Sequence, residues 1–351
     1  MVRAHAASAA RVGRAPMVGR ELREERERQL LRPGATYAQG AGHRAVEELP
    51  DVERTCFERD RDRIVHSTAF RRLAGKTQVV VFPSDHQRTR LTHALEVAQV
   101  ATSIARAVGV NVALAEAIAL GHDCGHGPGG HASEDAFDAF LPEGFDHGPW
   151  GADVVLTGLN LCAETLDGIR NHSWSRPAPA TVEGEIVSWA DRIAYCAHDL
   201  EDAVHAGIVT LDALPAEITT VCGSTRRSQL ATFVRAVVRA VDERGEIGMD
   251  PAEAAALAGL RAFNYQHIYT RPASLAQSAA VVEVLQALVR HYTARPEAIP
   301  DAPDQPPGSD AAVRAAVTYV AGMTDRYAFQ SAVSLLGWDQ ARLPQGLDQS
   351  R

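Results

Sequence analysis

The feature that most constrains this chain is a short run of imidazoles and carboxylates interrupted by glycines. The run is GHDCGHGPGGHASE, from Gly121 to Glu134, and a further histidine ends the segment RLTH at His93. Imidazoles and carboxylates are ligands of borderline or hard divalent ions, and glycine lets backbone and ligand approach closely. We therefore expect a fold that brings these groups together in a divalent-metal site suited to phosphate.

Apolar periodicity places this run at the end of a helix. One helix is predicted over residues 90–108, and a second from residue 112 to the adjacent His122 and Asp123, after which glycines and a proline follow. Neighbouring side chains on a helix point about 100° apart. Both can reach one ion only near a helix end, which is where the sequence puts them.

Other segments complete the outline. Residues 182–206 carry an apolar stripe. They also carry Asp191, Tyr195 and Asp199, which are spaced i, i+4 and i+8 and so lie on one face. A last helix is predicted over residues 311–336. Residues 78–83, QVVVFP, are predicted to form an extended connector or a small hairpin strand.

Helical patterns dominate from residue 51 onward, so we predict an all-α fold. Residues 51–351 are expected to form one domain, in which a Pro-rich loop covers residues 296–310. Residues 1–50 show no sustained period and are expected to be a flexible, arginine-rich, irregular N-terminal arm with a short solvated helix over residues 20–31.

Composition limits the classes of partner. Forty-four acidic residues against 35 Lys and Arg give a formal net charge of -9, so nucleic-acid binding is not expected to be the main role. Arginine clusters locally, which fits a small phosphorylated substrate. Five cysteines are scattered singly, and neither a signal peptide nor a run of about 20 apolar residues is evident, so we expect a cytoplasmic protein without membrane contact.

Longer motifs narrow the interpretation. In chain order they are DRDRIVHSTAFRRLAGKTQV, RTRLTHALEVAQV, AIALGHDCGHGPGGHASE, ADRIAYCAHDLEDA and GMTDRYA. Together they resemble the deoxyguanosine triphosphate triphosphohydrolase family of the HD-domain phosphohydrolases, over most of the chain from Phe57 to about Ala328. The resemblance implies an HD-domain helical fold and a deoxynucleoside triphosphate substrate.

The resemblance also assigns roles to individual residues. Taken singly, each of these residues could instead be a hydrogen-bonded core or cap residue. The implied ligands of one divalent ion (manganese, magnesium, iron or zinc) are His93, His122, Asp123 and Asp191. The implied catalytic residues are His126, His131 and Glu134, and the implied substrate contacts are Arg90, Gln78, His147, Tyr195 and Asp199. His131 and Glu134 are three residues apart, so on one helical turn the carboxylate can orient the imidazole. The alternative is that His131 and Glu134 form only a weak contact on an exposed turn.

The implied reaction is attack of water on the α-phosphorus, releasing a deoxynucleoside and inorganic triphosphate. Alternatives are an HD-type 5′-nucleotidase or phosphodiesterase, or a regulatory nucleotide-binding protein. A homo-oligomer is expected by resemblance alone. The chain departs from the family pattern in its glycine-rich loop, where Gly127 and Gly129 replace a proline and an aromatic residue. The loop RNHSWSRP, residues 170–177, has the character of a nucleotide-contacting segment.

Overall fold

In the computed structural model, which describes residues 2–79, 87–300 and 304–344, the regular structure is helical. The α-helices are α1 Arg20–Leu30, α2 Cys56–His66, α3 Thr68–Arg72, α4 Arg90–Val108, α5 Val112–Gly121, α6 Ala132–Asp138, α7 His147–Trp150, α8 Ala163–Asn171, α9 Val182–His205, α10 Ala216–Cys222, α11 Arg226–Arg244, α12 Pro251–Asn264, α13 Pro272–Ala294, α14 Asp310–Ala321 and α15 Asp325–Leu336. Within the described ranges, β-pairing is limited to two isolated bridges. The predicted all-α class is confirmed.

The turn between α4 and α5 has the predicted form. Gly109 ends α4 with a φ of 73°, a left-handed conformation that glycine adopts without a Cβ penalty. Asn111 then caps α5, its side chain accepting a hydrogen bond from the Leu114 amide at 3.2 Å. Because α5 ends at Gly121, His122 and Asp123 lie at its C-terminal end, where the backbone can turn both side chains inward.

A first hydrophobic core surrounds α4 and α5. Val97 and Ile104 from α4 pack with Ile118 from α5 and Ile193 from α9, all fully buried. This packing sets α9 alongside α4. Asp191, distant in sequence from His93, is thereby brought into contact with it.

A second hydrophobic core joins α6 to α13, α14 and α15, with Phe137, Leu285, Val317 and Phe329 in its interior. The prediction of a single helix over residues 311–336 is wrong, because the helix is interrupted between α14 and α15. Thr324 there accepts a hydrogen bond from the Tyr327 amide at 3.3 Å and caps the start of α15.

Residues 80–83 of the predicted extended segment lie outside the described part of the chain. Thr77 forms one of the isolated bridges, with Thr89. Among the described helices, α13 alone is long and apolar enough to cross a membrane by length and composition, so the expectation that no segment would approach a span is wrong by that measure. Val284 and Leu288 are fully buried in the second core, whereas 28% of the apolar window of α13 as a whole is buried.

Part of the N-terminal arm packs closely on the helices. Ala35 and Ala38 belong to the first core, and the predicted helix at 20–31 is present as α1. The anchor is Glu183 in the first turn of α9, a fully buried carboxylate. It accepts hydrogen bonds from the Thr36 amide at 3.0 Å, the Thr36 hydroxyl at 2.8 Å and the Asn111 amide at 2.9 Å. The arm, α5 and α9 therefore meet at one carboxylate.

We expect Glu183→Ala to lower the free energy of unfolding by roughly 2–4 kcal/mol, because the buried amide of Asn111 and the half-buried amide of Thr36 would lose their acceptor. Urea unfolding followed by circular dichroism measures this. Glu185→Ala, on the same helical turn, is the matched control and should change stability by less than about 1 kcal/mol. Equal losses in the two variants would contradict the anchoring role of Glu183.

Candidate active site

Four side chains from three helical segments converge at the end of α5. His122 Nε2 lies 3.4 Å from Asp123 Oδ1 and 3.6 Å from Asp191 Oδ1. His93 Nε2, on α4, lies 3.0 Å from the same Asp191 oxygen and 3.9 Å from Asp123 Oδ2. The four residues assigned to a metal by resemblance are thus brought to one place.

The chemistry of this set suits a divalent ion. His122 Nδ1 donates to the Ala119 carbonyl at 2.7 Å, which leaves Nε2 as the ring nitrogen available to an ion. That Nε2 is buried and has no hydrogen-bond partner among the described residues. Potential ligand atoms of His93, His122 and Asp191 all lie within 4.8 Å of one another. Two imidazoles and two carboxylates fit manganese, iron or zinc, and with more water ligands magnesium.

Asp123 is buried and carries its charge beside a guanidinium. Arg90 Nη1 donates to Asp123 Oδ2 at 2.7 Å. Burial favours the neutral acid, but Arg90 and the imidazoles of His122 and His126 hold the pKa of Asp123 well below its usual range. Arg90 Nε and Nη2 are also buried, without partners in the described ranges. Donors of this kind are available to an anion.

A second cluster lies next to the first and centres on Glu134. Glu134 Oε1 lies 2.5 Å from His147 Nδ1, and Glu134 Oε2 lies 3.5 Å from His131 Nδ1. His126 stacks on His147 with ring centroids 3.7 Å apart. The predicted pair of His131 and Glu134 is therefore present as a contact on one helical turn, but the carboxylate is shared and lies closer to His147. His131 itself is 73% exposed.

Three groups of this cluster have shifted pKa values. Burial raises the pKa of Glu134, but its bonds to His131 and His147 outweigh this and hold the pKa well below the usual value. Burial lowers the pKa of His147, but Glu134 reverses this and the net shift is upward. Burial, together with Arg90 and His147, holds the pKa of His126 well below its usual range. The two stacked imidazoles therefore have pKa values shifted in opposite directions.

His172 is a site residue that the sequence analysis missed. It follows α8, is buried, and its Nε2 lies 3.1 Å from His147 Nε2, while its Nδ1 donates to the Ile169 carbonyl at 2.8 Å. Burial, with the charges of His122 and His147, lowers the pKa of His172 to about 3. The only sequence signal was its place in the loop at residues 170–177.

A cavity of about 440 Å³ opens onto both clusters. The predicted site residues on its wall are Gln78, Arg90, His93, Asp123, His126, His131, His147, Asp191, Tyr195 and Asp199. His122 and Glu134 lie just behind that wall. Further wall residues, not predicted, contact the polar ones: Arg261 Nε donates to the Tyr195 hydroxyl at 2.9 Å, and the Tyr269 hydroxyl donates to Asp199 at 2.5 Å.

Packing explains one departure of the glycine-rich loop from the family pattern. Gly129 has a φ of 73°, and a Cβ at this position would collide with Val281 of α13. A bulky side chain here would require α13 to move away. The narrow loop and the close approach of α13 therefore belong together.

Sequence comparison agrees with this geometry. The HD domain profile matches residues 90–196, and the phosphohydrolase-associated domain profile matches residues 247–333. The helical fold and the converging histidines and aspartates thus define an HD-domain phosphohydrolase fold.

Curated relatives narrow the class further. Deoxyguanosinetriphosphate triphosphohydrolase-like proteins from Caldanaerobacter subterraneus subsp. tengcongensis and Clostridium perfringens strain 13 are each 40% identical to this chain, over 88% of it and over 93% and 94% of their own lengths. One from Desulfatibacillum aliphaticivorans is 39% identical over 89% of this chain and 96% of its own. The chain belongs to this deoxyguanosinetriphosphate triphosphohydrolase-like family.

The raised pKa of Asp199, on the cavity wall, can be tested through the pH dependence of stability. Burial raises the pKa of Asp199 to about 7, against the hydrogen bond from Tyr269 that lowers it. Since the folded chain retains a proton that the unfolded carboxyl releases near pH 4, the stability contributed by this group is lost as pH rises from about 4 to 7. Asp199→Asn imitates the protonated form.

We therefore expect the melting temperature of Asp199→Asn, relative to wild type, to increase between pH 5 and pH 8. Calorimetry of chelator-treated proteins measures it. Asp212→Asn, at an exposed position, reports the effect of losing an ordinary carboxylate. A difference between Asp199→Asn and wild type that does not vary with pH would contradict the raised pKa.

Proposed function

We propose that the protein hydrolyses deoxynucleoside triphosphates to a deoxynucleoside and inorganic triphosphate in a metal-dependent reaction. One observation carries the proposal: a single cavity is bordered by a metal-type cluster and by a second cluster able to bind phosphate and move a proton. The family relationship supports the same substrate class, since the relatives are named for deoxyguanosine triphosphate.

The metal would be held by His93, His122, Asp123 and Asp191. When bound, a divalent ion would supply Lewis acidity, which lowers the pKa of water and offsets phosphate charge. The chain itself contributes fixed donors: the unpartnered Nε and Nη2 of Arg90 face phosphate oxygens in this proposal. His126 and His147, stacked beside them, would bind the remaining phosphate oxygens.

His131 would transfer the proton. It borders the cavity and is oriented by Glu134, whose low pKa keeps it an acceptor for the imidazole N–H. In the proposed step, a bond forms between the water oxygen and the α-phosphorus while the bond from phosphorus to the 5′-oxygen breaks. His131 protonates that 5′-oxygen, so the nucleoside leaves as an alcohol. The proton lost by the attacking water passes to solvent, from which His131 is reprotonated.

Gln78, Asp199 and Tyr195, on the cavity wall, would contact the sugar. Gln78 Oε1 is buried without a hydrogen-bond partner among the described residues, and so is Asp199 Oδ1. Such acceptors await donors, and a sugar hydroxyl is one. Tyr195, one helical turn from Asp191, would pack against the same sugar.

Product analysis tests the proposal. Purified protein would be incubated with the four deoxynucleoside triphosphates, mixed and singly, with manganese or magnesium. Inorganic triphosphate and a nucleoside in equal amounts are expected. Orthophosphate as the sole phosphate product would refute the proposal and favour a nucleotidase.

We expect His131→Ala and Glu134→Gln each to lower kcat by about 100- to 10,000-fold, because each removes the proton donor or its orienting group. Steady-state release of triphosphate gives kcat and KM. His66→Ala, which removes an exposed histidine on α2, is the control and should match wild type. Wild-type kcat in both cavity variants would exclude His131 as the proton donor.

Metal content provides an independent measurement. Asp191→Ala should weaken manganese binding by more than the roughly 10- to 100-fold typical of losing an outer-shell partner. Elemental analysis after dialysis against buffered manganese quantifies the bound ion, and Asp212→Ala is the matched exposed change. Retention of one tightly bound ion by Asp191→Ala would remove Asp191 from the proposed ligand set.

A further inference from the structure

The Asp325 side chain, at the first position of α15, is only 4% exposed and connects two segments that are distant in sequence. One of its oxygens, Oδ2, accepts hydrogen bonds from the Thr77 amide at 2.9 Å and the Thr77 hydroxyl at 2.5 Å. The other, Oδ1, accepts from the Gly129 amide at 2.8 Å. Both carboxylate oxygens are thus used, each on a different segment.

These two segments lie next to each other, and both border the cavity. Thr77 immediately precedes Gln78, the proposed sugar contact, and Gly129 lies two residues before His131, the proposed proton donor. Neither Thr77 nor Gly129 lies in a helix. Because no helical hydrogen bonds fix these backbones, the bonds to Asp325 help to set their positions.

A second buried contact joins the same parts of the fold. Lys76 Nζ donates to the His126 carbonyl and, at 3.0 Å, to the Ala321 carbonyl at the end of α14. Burial lowers the pKa of Lys76 to about 8, and the Asp325 carboxylate opposes this shift. The junction of α14 and α15 therefore holds both segments.

We propose that Asp325 is a positioning residue, which holds the Thr77–Gln78 backbone and the glycine-rich loop in register so that Gln78 and His131 border one cavity. It acts through its two neighbours and does not line the cavity. The kinetic part of this inference rests on the proposed function, whereas the structural part does not.

The packing of α15 is separable from this role. Ala328, Phe329 and Ala332 are buried in the second core and do not depend on the carboxylate. Asp325→Asn keeps the shape of the side chain but replaces one acceptor oxygen with an NH2 group. Whichever way the amide lies, its NH2 faces a backbone N–H, of either Thr77 or Gly129.

The chain offers a matched control in Asp310, which is also the first residue of a helix, follows a serine cap, and is exposed. Asp310→Asn removes the same charge from a helix N-terminus but touches neither segment. Thr77→Val is a second test, because it removes only the hydroxyl bond to Asp325 and leaves both amide bonds in place.

Amide hydrogen exchange of the metal-free protein is the primary measurement. In Asp325→Asn, exchange at Thr77, Gln78 and the loop 127–131 should accelerate at least about tenfold, since bonds to a charged acceptor are lost, while α13 and the body of α15 keep wild-type rates. Asp310→Asn should match wild type everywhere. Unchanged exchange at both segments, or a uniform increase across the second core, would overturn the proposal.

Kinetics gives the second measurement. Asp325→Asn should lower kcat at least about tenfold and raise KM, whereas Thr77→Val, which loosens only the Gln78 side, should mainly raise KM. Wild-type kinetics in Asp325→Asn would overturn the positioning role.

If Asp325→Asn does not fold, hydrogen exchange of Thr77→Val decides the question. Faster exchange at position 77 with Gly129 unchanged supports the inference, and unchanged exchange refutes it. A wild-type protein inactive on every deoxynucleoside triphosphate would refute the proposed function only, since the exchange test needs no substrate.

Discussion

The buried contact between Arg90 and Asp123 is the interaction on which the site depends. A carboxylate as enclosed as Asp123 is unstable without a compensating charge, because desolvation of an ion costs several kcal/mol. Arg90 supplies that charge at 2.7 Å and lies on the same helix as His93. Arg90 neutralises the charge of Asp123, a candidate metal ligand, and its Nε and Nη2 remain available as donors. Arginine suits both tasks because its planar fork presents several donors at once.

Much of this arrangement was predictable from local chemistry. Gly109 and the apolar stripe of α4 predicted that helix to the residue, and the glycines after Asp123 predicted the end of α5 to within two residues. The motifs then identified the residues that converge on the cavity. Patterns of this kind depend on neighbours within a few positions along the chain, which is what a sequence displays directly.

The features that sequence reasoning missed arise from contacts between distant segments. His172 gives no sign of its role until α8 is set against α7, and Glu134 is shared with His147 only because α7 returns beside α6. The break between α14 and α15 was missed for a different reason. A continuous apolar period hid the capping threonine at position 324, and the cap outweighed the pattern.

The composition of the cavity wall has a consequence for how such a protein can diversify. Every residue proposed for reactivity lies between Arg90 and Asp191, whereas Arg261, Tyr269 and Val281 add to the cavity wall from later in the chain. Part of the wall that would contact the substrate is therefore carried by a stretch of sequence that supplies none of the residues proposed for reactivity. Mutations in that later stretch can change the part of the wall that would contact a base or sugar and leave the residues proposed for reactivity intact. Related proteins can then share a reaction and differ in substrate.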